Sequence, residues 1–151
     1  MTDGNSKEEK RQKLFDRYNN RGLETGIRLQ GEHFLNRVEE FDELDQEWTD
    51  SWLTWIYDDL YNRTVLDPKT RILVVLGECC VLGAVMQIPN HIRSAMRAGA
   101  TKEECLEVIL QSAVYAGMPR MVVAMKAYRD LMKDMGLVDL TEPVFRGDAR
   151  D

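Results

Sequence analysis

The amino-acid sequence predicts an all-α fold, a bundle of about six or more helices. Apolar residues recur three and four positions apart in each long segment, which is the period of an α-helix. Residues that start and stop helices lie between those segments. The alternation of apolar and polar residues that is typical of a half-buried strand is found nowhere.

The first predicted helices are short. Asn19, Asn20 and Gly22 interrupt the apolar pattern of residues 14–29, which predicts a short helix, a turn and a second short helix. The segment that follows, residues 32–44, has its apolar side chains at helical spacing.

A strongly amphipathic helix is predicted over residues 45–61. Trp48, Trp52 and Trp55 give it an aromatic face, which we expect to belong to the core or to an interface rather than to a substrate platform. Asp67 and Pro68 are then typical of a helix start, and the helix that they open is apolar nearly all round as far as Leu82.

Residues 89–119 predict two helices joined by a tight corner. Pro89 suits the start of the first helix, and Gly99 supplies the positive φ that ends it. Thr101 and Glu104 have the spacing of a capping box for the second helix. Gly117 and Pro119 end that helix, and a last helix is predicted over residues 120–135.

Composition limits the classes of protein. The chain has 151 residues, of which 44% are hydrophobic and 30% charged, as in an ordinary globular domain. We expect a single domain over residues 14–140, a flexible segment over 1–13 and an irregular tail over 141–151. The net charge of −6 argues against nucleic acid as a partner. Residues 1–13 lack the apolar core of a signal peptide, and no apolar run approaches the ~20 residues that span a bilayer. No membrane partner and a cytoplasmic location are therefore expected.

The corner carries a candidate acid–base site. His91 falls in the first turn of its helix, where the positive end of the helix dipole favours the neutral imidazole. Glu107, Gln111 and Tyr115 are spaced four residues apart and project along one face of the next helix. The alternatives are an ordinary exposed histidine, a solvated glutamate and a core tyrosine.

Several motifs in order resemble those of one known family. The first is RGLETGIRLQGEHFLNR, which contains Gly31. The second is YDDLYNRTVLDPKTR, which contains Arg63, Leu66 and Arg71. The third runs from His91 through the corner to YAGMP at residues 115–119. From about Arg21 to Leu137 the chain resembles the carboxymuconolactone decarboxylase family, part of the AhpD-like superfamily.

This resemblance implies an AhpD-like helical bundle that assembles as a homotrimer or homohexamer. It also implies a decarboxylase, or related lyase, that needs no metal and no organic cofactor and acts on a small anionic lactone or keto acid. On this interpretation His91 transfers the proton and Glu107 orients it. The remaining candidates bind the substrate: Arg71, Arg63 and Arg93 hold carboxylates, Tyr115 or Gln111 donates to the developing oxyanion, and Tyr57 lines the pocket.

Two departures from the family pattern leave other functions open. The peroxidases of the superfamily carry C-x-x-C four residues before the histidine, where this chain has Ala84 and Gln87. Cys79 and Cys80 are neighbours whose side chains point apart on a helix, so we expect structural thiols. Decarboxylase members usually have tryptophans at Tyr57 and Tyr61 and often a histidine at Gln111. The alternatives are therefore a redox protein using cysteine and a non-catalytic binding module. The histidines lack carboxylates at ligand spacing, so no metal site is expected.

Overall fold

A computed structural model describes the backbone of residues 3–137 and the side chains of residues 8–137. Within that part of the chain the regular structure is entirely helical, which confirms the all-α prediction. The α-helices are α1 (Asp3–Arg17), α2 (Asn20–Gln30), α3 (Phe34–Leu44), α4 (Gln46–Trp52), α5 (Pro68–Leu82), α6 (Ile88–Arg97), α7 (Lys102–Gln111) and α8 (Ala113–Asp134), and a π-helix (Leu53–Leu60) follows α4.

The described residues form two compact units. Unit 1 comprises residues 3–72 and 93–99, and unit 2 comprises residues 73–92 and 100–137. Helices α5 and α6 each contribute residues to both units.

Unit 1 has an aromatic core. The ring centroid of Tyr57 lies 4.5 Å from that of Phe34 and 5.1 Å from that of Trp52. A Cβ atom on Gly26 would stand 2.0 Å from the Phe34 ring, so only glycine allows α2 this close to the core. Trp48 and Trp55 are exposed, whereas Trp52 is half-buried. The fully or largely buried side chains of this core are Leu14, Tyr18, Leu23, Phe34, Val38, Leu53 and Tyr57.

Helix α1 starts at Asp3, inside the segment predicted from its composition to be flexible. Its last part is attached to the rest of unit 1, because Leu14 is buried in the core and Lys10 and Arg11 form ion pairs with α3 and the turn before it. The polar composition of residues 1–13 did not reveal these long-range contacts. The predicted tail, residues 141–151, lies outside the described residues.

The predicted helix over residues 45–61 has two parts. Helix α4 is capped by Asp45, whose carboxylate accepts from the N–H of Trp48 at 2.9 Å. From Leu53 on the backbone is π-helical, so the prediction of one α-helix is wrong there. Asn62 ends the π-helix, since its Nδ2 donates to the Tyr57 carbonyl at 3.1 Å and to Thr25 Oγ1 of α2 at 3.0 Å.

Unit 2 confirms the predicted cap of α7. Thr101 and Glu104 form the capping box, with reciprocal bonds of 3.1 and 2.8 Å. Helix α7 packs against α8, and Tyr128 fixes the pair by donating from its hydroxyl to the Lys102 carbonyl at 3.0 Å.

The helical backbone of α7 continues through Ser112 into α8. Ser112 has right-handed helical dihedrals, and its N–H donates to the Val108 carbonyl at 3.2 Å. The path breaks at Gly117, whose φ of 78° and ψ of 166° are open essentially to glycine alone. The predicted break at Gly117 is therefore confirmed. Taken as a pair, α7 and α8 are bent by 118°.

Among the described residues, no one helix combines the length and the apolar composition needed to cross a bilayer, although α7 and α8 taken as a pair reach both.

Candidate active site

The eight residues singled out by the sequence are divided equally between the two units. Unit 1 holds Tyr57, Arg63, Arg71 and Arg93, and unit 2 holds His91, Glu107, Gln111 and Tyr115.

His91 closes the first turn of α6, as predicted. The helix begins at Ile88 with Pro89 in its first turn, and the N–H of His91 donates to the Gln87 carbonyl at 3.0 Å. The side chain is half-buried and its Nδ1 atom is buried. The backbone of His91 thus belongs to a regular helix start, which suits a group that must transfer a proton from a fixed position.

Glu107, Gln111 and Tyr115 form an exposed stripe in unit 2. The helical path through Ser112 keeps them on one face, and Tyr115 is 94% exposed, so it is not a core residue in this chain. Within the described part of the chain, no side-chain hydrogen bond or ion pair of Glu107 is formed. Its predicted role in orienting His91 stays a prediction.

Arg71 is held against the backbone of Arg63. One terminal nitrogen of Arg71 donates to the Arg63 carbonyl at 3.1 Å, and its Nε is buried without an acceptor among the described residues. Asp67 lies four residues before Arg71 but forms no ion pair with it; its carboxylate accepts from the N–H and the hydroxyl of Thr70. The Arg63 side chain is exposed.

Tyr57 is 4% exposed and lies on the π-helix. Its hydroxyl accepts from Gln30 Nε2 at 2.6 Å, and Gln30 Oε1 in turn accepts from Arg37 Nη1 at 3.1 Å. Burial raises the pKa of Tyr57, so the phenol stays protonated at neutral pH. The ring of Tyr61 packs edge-on against it at 5.3 Å.

Sequence reasoning missed a basic cluster in unit 1. The guanidinium of Arg97 and the Nδ1 of His33 approach the same side of Gly31, at 3.0 and 3.5 Å from the position that a Cβ atom would take. Partial burial lowers the pKa of His33, and the positive charges of Arg97, Arg37 and Arg93 lower it further. The signal in the sequence was the four-residue spacing of His33 to Arg37 and of Arg93 to Arg97.

The three cysteines are buried thiols. Burial raises the pKa of Cys80 to about 11 and that of Cys105 to about 11, and it also raises the pKa of Cys79. Because the thiolate is the reactive form, these environments disfavour cysteine redox chemistry. Across the described residues, no three His, Cys, Asp or Glu side chains come together in a way that would hold a metal ion.

A groove of about 350 Å³ lies between α1 and α3 in unit 1. None of the eight predicted residues lines it. Its lysine and its arginine are already paired, since Arg11 bonds Glu32 at 2.7 Å and Lys10 bonds Glu39 at 3.1 Å. An anionic ligand would therefore have to displace these carboxylates.

The comparison with protein families matches residues 46–130 to the carboxymuconolactone decarboxylase family. The matched span includes all eight predicted site residues. The chain belongs to this family.

Two named relatives are decarboxylases. The chain is 30% identical to the 4-carboxymuconolactone decarboxylase of Acinetobacter baylyi over 117 residues, which cover 77% of this chain and 87% of the relative. It is 33% identical to the nitrosuccinic acid decarboxylase of Metarhizium robertsii over 81 residues, covering 54% of this chain and 57% of the relative. An uncharacterised 15.0 kDa protein of Paracoccus denitrificans is 41% identical over 68 residues, covering 44% of this chain and 51% of that protein.

Proposed function

We propose that the protein is a cofactor-independent decarboxylase of a small organic acid, with a lactone acid or a keto acid as the first substrates to test. One observation supports this proposal most: two relatives from different organisms are named for different acids, and both are decarboxylases. The shared element is loss of a carboxylate, while the rest of the substrate differs. We therefore propose the reaction type first and the substrate class second.

The reaction needs little from the protein. The bond between the carboxylate and its neighbouring carbon breaks, carbon dioxide leaves, and the electron pair moves into an acceptor within the substrate. A conjugated lactone carbonyl, a β-keto group or a nitro group can each take that pair. The protein has to bind the carboxylate, stabilise charge on the acceptor and give a proton to the carbon.

In this proposal His91 is the proton donor. It is the ionisable side chain held at the start of α6, and neutral histidine and its protonated form interconvert near neutral pH. Arg71 holds a carboxylate, because its guanidinium keeps donors beyond the one bonded to Arg63. Gln111 or Tyr115 donates to the acceptor oxygen, and both are exposed and therefore accessible.

The kinetic test separates these roles. His91→Ala should lower kcat by about 10²–10⁴-fold with little change in melting temperature, as expected for the loss of a general acid or base. The measurement is carbon dioxide release from the best substrate in a panel of unsaturated lactone acids, β-keto acids and 2-nitrosuccinate. A His91→Ala variant with the wild-type kcat would overturn the assignment.

Arg71→Ala should act on binding rather than on chemistry. We expect a raised KM with a smaller change in kcat, because the arginine contacts a carboxylate in both the ground state and the transition state. Arg129→Ala, at an exposed position on α8, is the matched control and should leave both constants unchanged. The kinetic effect of Glu107→Gln should be intermediate between those of His91→Ala and Arg71→Ala if Glu107 only orients the histidine.

One observation favours the binding-module alternative. Tyr57 and Tyr61 pack against each other in unit 1, at positions where decarboxylase members usually have tryptophans. A protein of this kind would bind an acid from the panel and raise its own melting temperature without releasing carbon dioxide. The panel therefore distinguishes the two functions directly.

A further inference from the structure

We propose that unit 1 contains a binding site for a small organic anion with two or more carboxylates, formed by Arg37, Arg93 and Arg97 around Gly31. All three arginines belong to unit 1. Arg93 is also one of the arginines that the family resemblance assigns to a substrate carboxylate, but binding at this site can be measured without decarboxylation. None of these arginines belongs to the ion pairs of the described residues, which use other basic side chains.

The close approach of Arg97 to the backbone shows that the cluster is built into the fold. Its Nη2 and Cζ atoms lie 3.0 and 3.3 Å from where a Cβ atom of residue 31 would be. Gly31 has a φ of 87°, so the turn between α2 and α3 itself selects glycine, and the missing side chain leaves space for the guanidinium. The turn thereby brings α6 and the start of α3 together at one point of unit 1.

Arg37 is oriented from the buried side. Its Nη1 donates to Gln30 Oε1 at 3.1 Å, and Gln30 is fixed by the hydroxyl of Tyr57 at 2.6 Å. One donor of the fork is thus used for positioning, and the other N–H groups stay available for a ligand. Both Arg37 and Arg93 are half-buried, which screens their charges less than those of fully exposed side chains.

Among the described residues, no ion pair joins a carboxylate to an arginine of the cluster. Arg93 and Arg97 are four residues apart on α6 and so lie on one face of that helix. Burial lowers the pKa of His33, and the positive charges of these arginines lower it further. An acidic side chain nearby, Glu32, is already bonded to Arg11 at 2.7 Å.

The geometry of the donors favours carboxylates. Each guanidinium presents a planar fork that matches the two oxygens of a carboxylate, and the forks of the cluster come from two different helices. A ligand with two or more carboxylates can engage several forks at once, whereas a monocarboxylate engages one. The alternative is that Arg97, in the last turn of α6, only complements the helix dipole.

Calorimetric titration with citrate, acetate and inorganic phosphate tests the proposal on the full chain at low ionic strength. We expect citrate to bind more tightly than phosphate and acetate to bind weakest. Arg97→Gln should weaken citrate binding by about tenfold or more, since a charged hydrogen bond is lost. Arg129→Gln, which removes an exposed arginine of α8, should bind citrate like the wild type.

A second readout distinguishes binding from a structural role. Bound citrate should raise the pKa of His33, because the anion offsets the arginine charges. Nuclear magnetic resonance measures this pKa. The chain has two histidines, so the signal that disappears in His33→Gln is that of His33. Arg97→Lys keeps the charge but loses the fork, and it should fold while binding citrate more weakly than the wild type.

Three results would overturn the proposal. The first is citrate binding that is unchanged in Arg97→Gln. The second is tighter binding of phosphate than of citrate, which would make the site selective for another anion. The third is absence of citrate binding by the wild-type protein; a change of molecular mass in Arg97→Gln would then mean that the cluster pairs with acidic groups of a second copy of the chain.

Discussion

Asp42 shows how single side chains join the elements of unit 1. This buried carboxylate of α3 accepts from Arg17 Nη1 at 2.6 and 2.9 Å and also from the hydroxyl of Tyr18. Burial by itself would raise the pKa of Asp42, but the hydrogen bonds from Tyr18 and Arg17 outweigh it and lower the pKa. The ionised carboxylate therefore ties the end of α1 and the residue after it to α3.

Replacing Asp42 should destabilise the protein in a pH-dependent way. Asp42→Asn should lose about 1–3 kcal/mol of unfolding free energy at pH 7, because charged hydrogen bonds become neutral ones. The folded-state pKa lies below the unfolded one, so the stabilisation is present above about pH 4 and is lost as the pH falls through the folded value. Urea unfolding of both proteins between pH 7 and pH 3 measures the difference.

The control for Asp42→Asn is Glu43→Gln, at the next and exposed position of α3. It should change stability little at any pH. A difference between wild type and Asp42→Asn that stays constant down to pH 3 would contradict the account.

At this scale the sequence predicted local contacts and missed distant ones. The capping box of Thr101 and Glu104 was predictable because its partners are three residues apart. The contacts of Asp42 with Arg17 and Tyr18 bridge more than twenty positions, and periodicity has no information on them. The same holds for the basic cluster, where each four-residue pair was visible but their meeting at Gly31 was not.

At the scale of the elements, the helix break at Gly117 depends on a backbone conformation that only glycine adopts easily. Its φ of 78° and ψ of 166° belong to a region that is essentially restricted to glycine. A Cβ atom there would have only Pro119 Cδ nearby, at 3.7 Å, so the cost of a side chain is conformational and not steric crowding. Gly117→Ala should therefore lose about 1–3 kcal/mol of stability in thermal or urea unfolding.

Gly77→Ala provides the matched control. Gly77 lies inside α5, and its Cβ atom would make an ordinary contact of 3.5 Å with Val108. Because alanine is the better helix former, this variant should gain up to about 1 kcal/mol. Equal changes of stability in the two variants would show that the backbone conformation of Gly117 is not what ends the helix that continues from α7 through Ser112.

Most element boundaries followed from glycine, proline and capping residues, which act over one turn. The start of the π-helix could not be predicted in this way. The apolar pattern of residues 45–61 is equally compatible with an ordinary α-helix, which has about one residue fewer per turn. Asn62, which bonds both Tyr57 and Thr25, fixes this segment from α2. The structural placement of Tyr57 thus depends on a long-range contact that the sequence pattern does not contain.

For the whole molecule, the exposed apolar surface of unit 2 leads us to propose a homo-oligomer, a trimer or a hexamer. Such an extent of exposed apolar side chains is unusual for a monomer. The large apolar side chains exposed there include Val81, Leu82, Val85, Met86, Val114, Met118, Val122 and Val123.

Light scattering at micromolar concentration should give the mass of three or six chains. Met118→Glu should reduce that mass, because a charge would be buried in the interface, whereas Gln46→Glu at an exposed position of unit 1 should not. A wild-type mass of one chain would refute the proposal.

The most direct test of the proposed reaction is carbon dioxide release by the purified wild-type protein. Acids of the panel that carry a ¹³C-labelled carboxylate should yield labelled carbon dioxide, measured by mass spectrometry, without added metal or cofactor. The account predicts release from at least one lactone, keto or nitro acid at a rate above that of the heat-denatured protein. Binding of these acids, seen as a raised melting temperature, without any labelled carbon dioxide would contradict it.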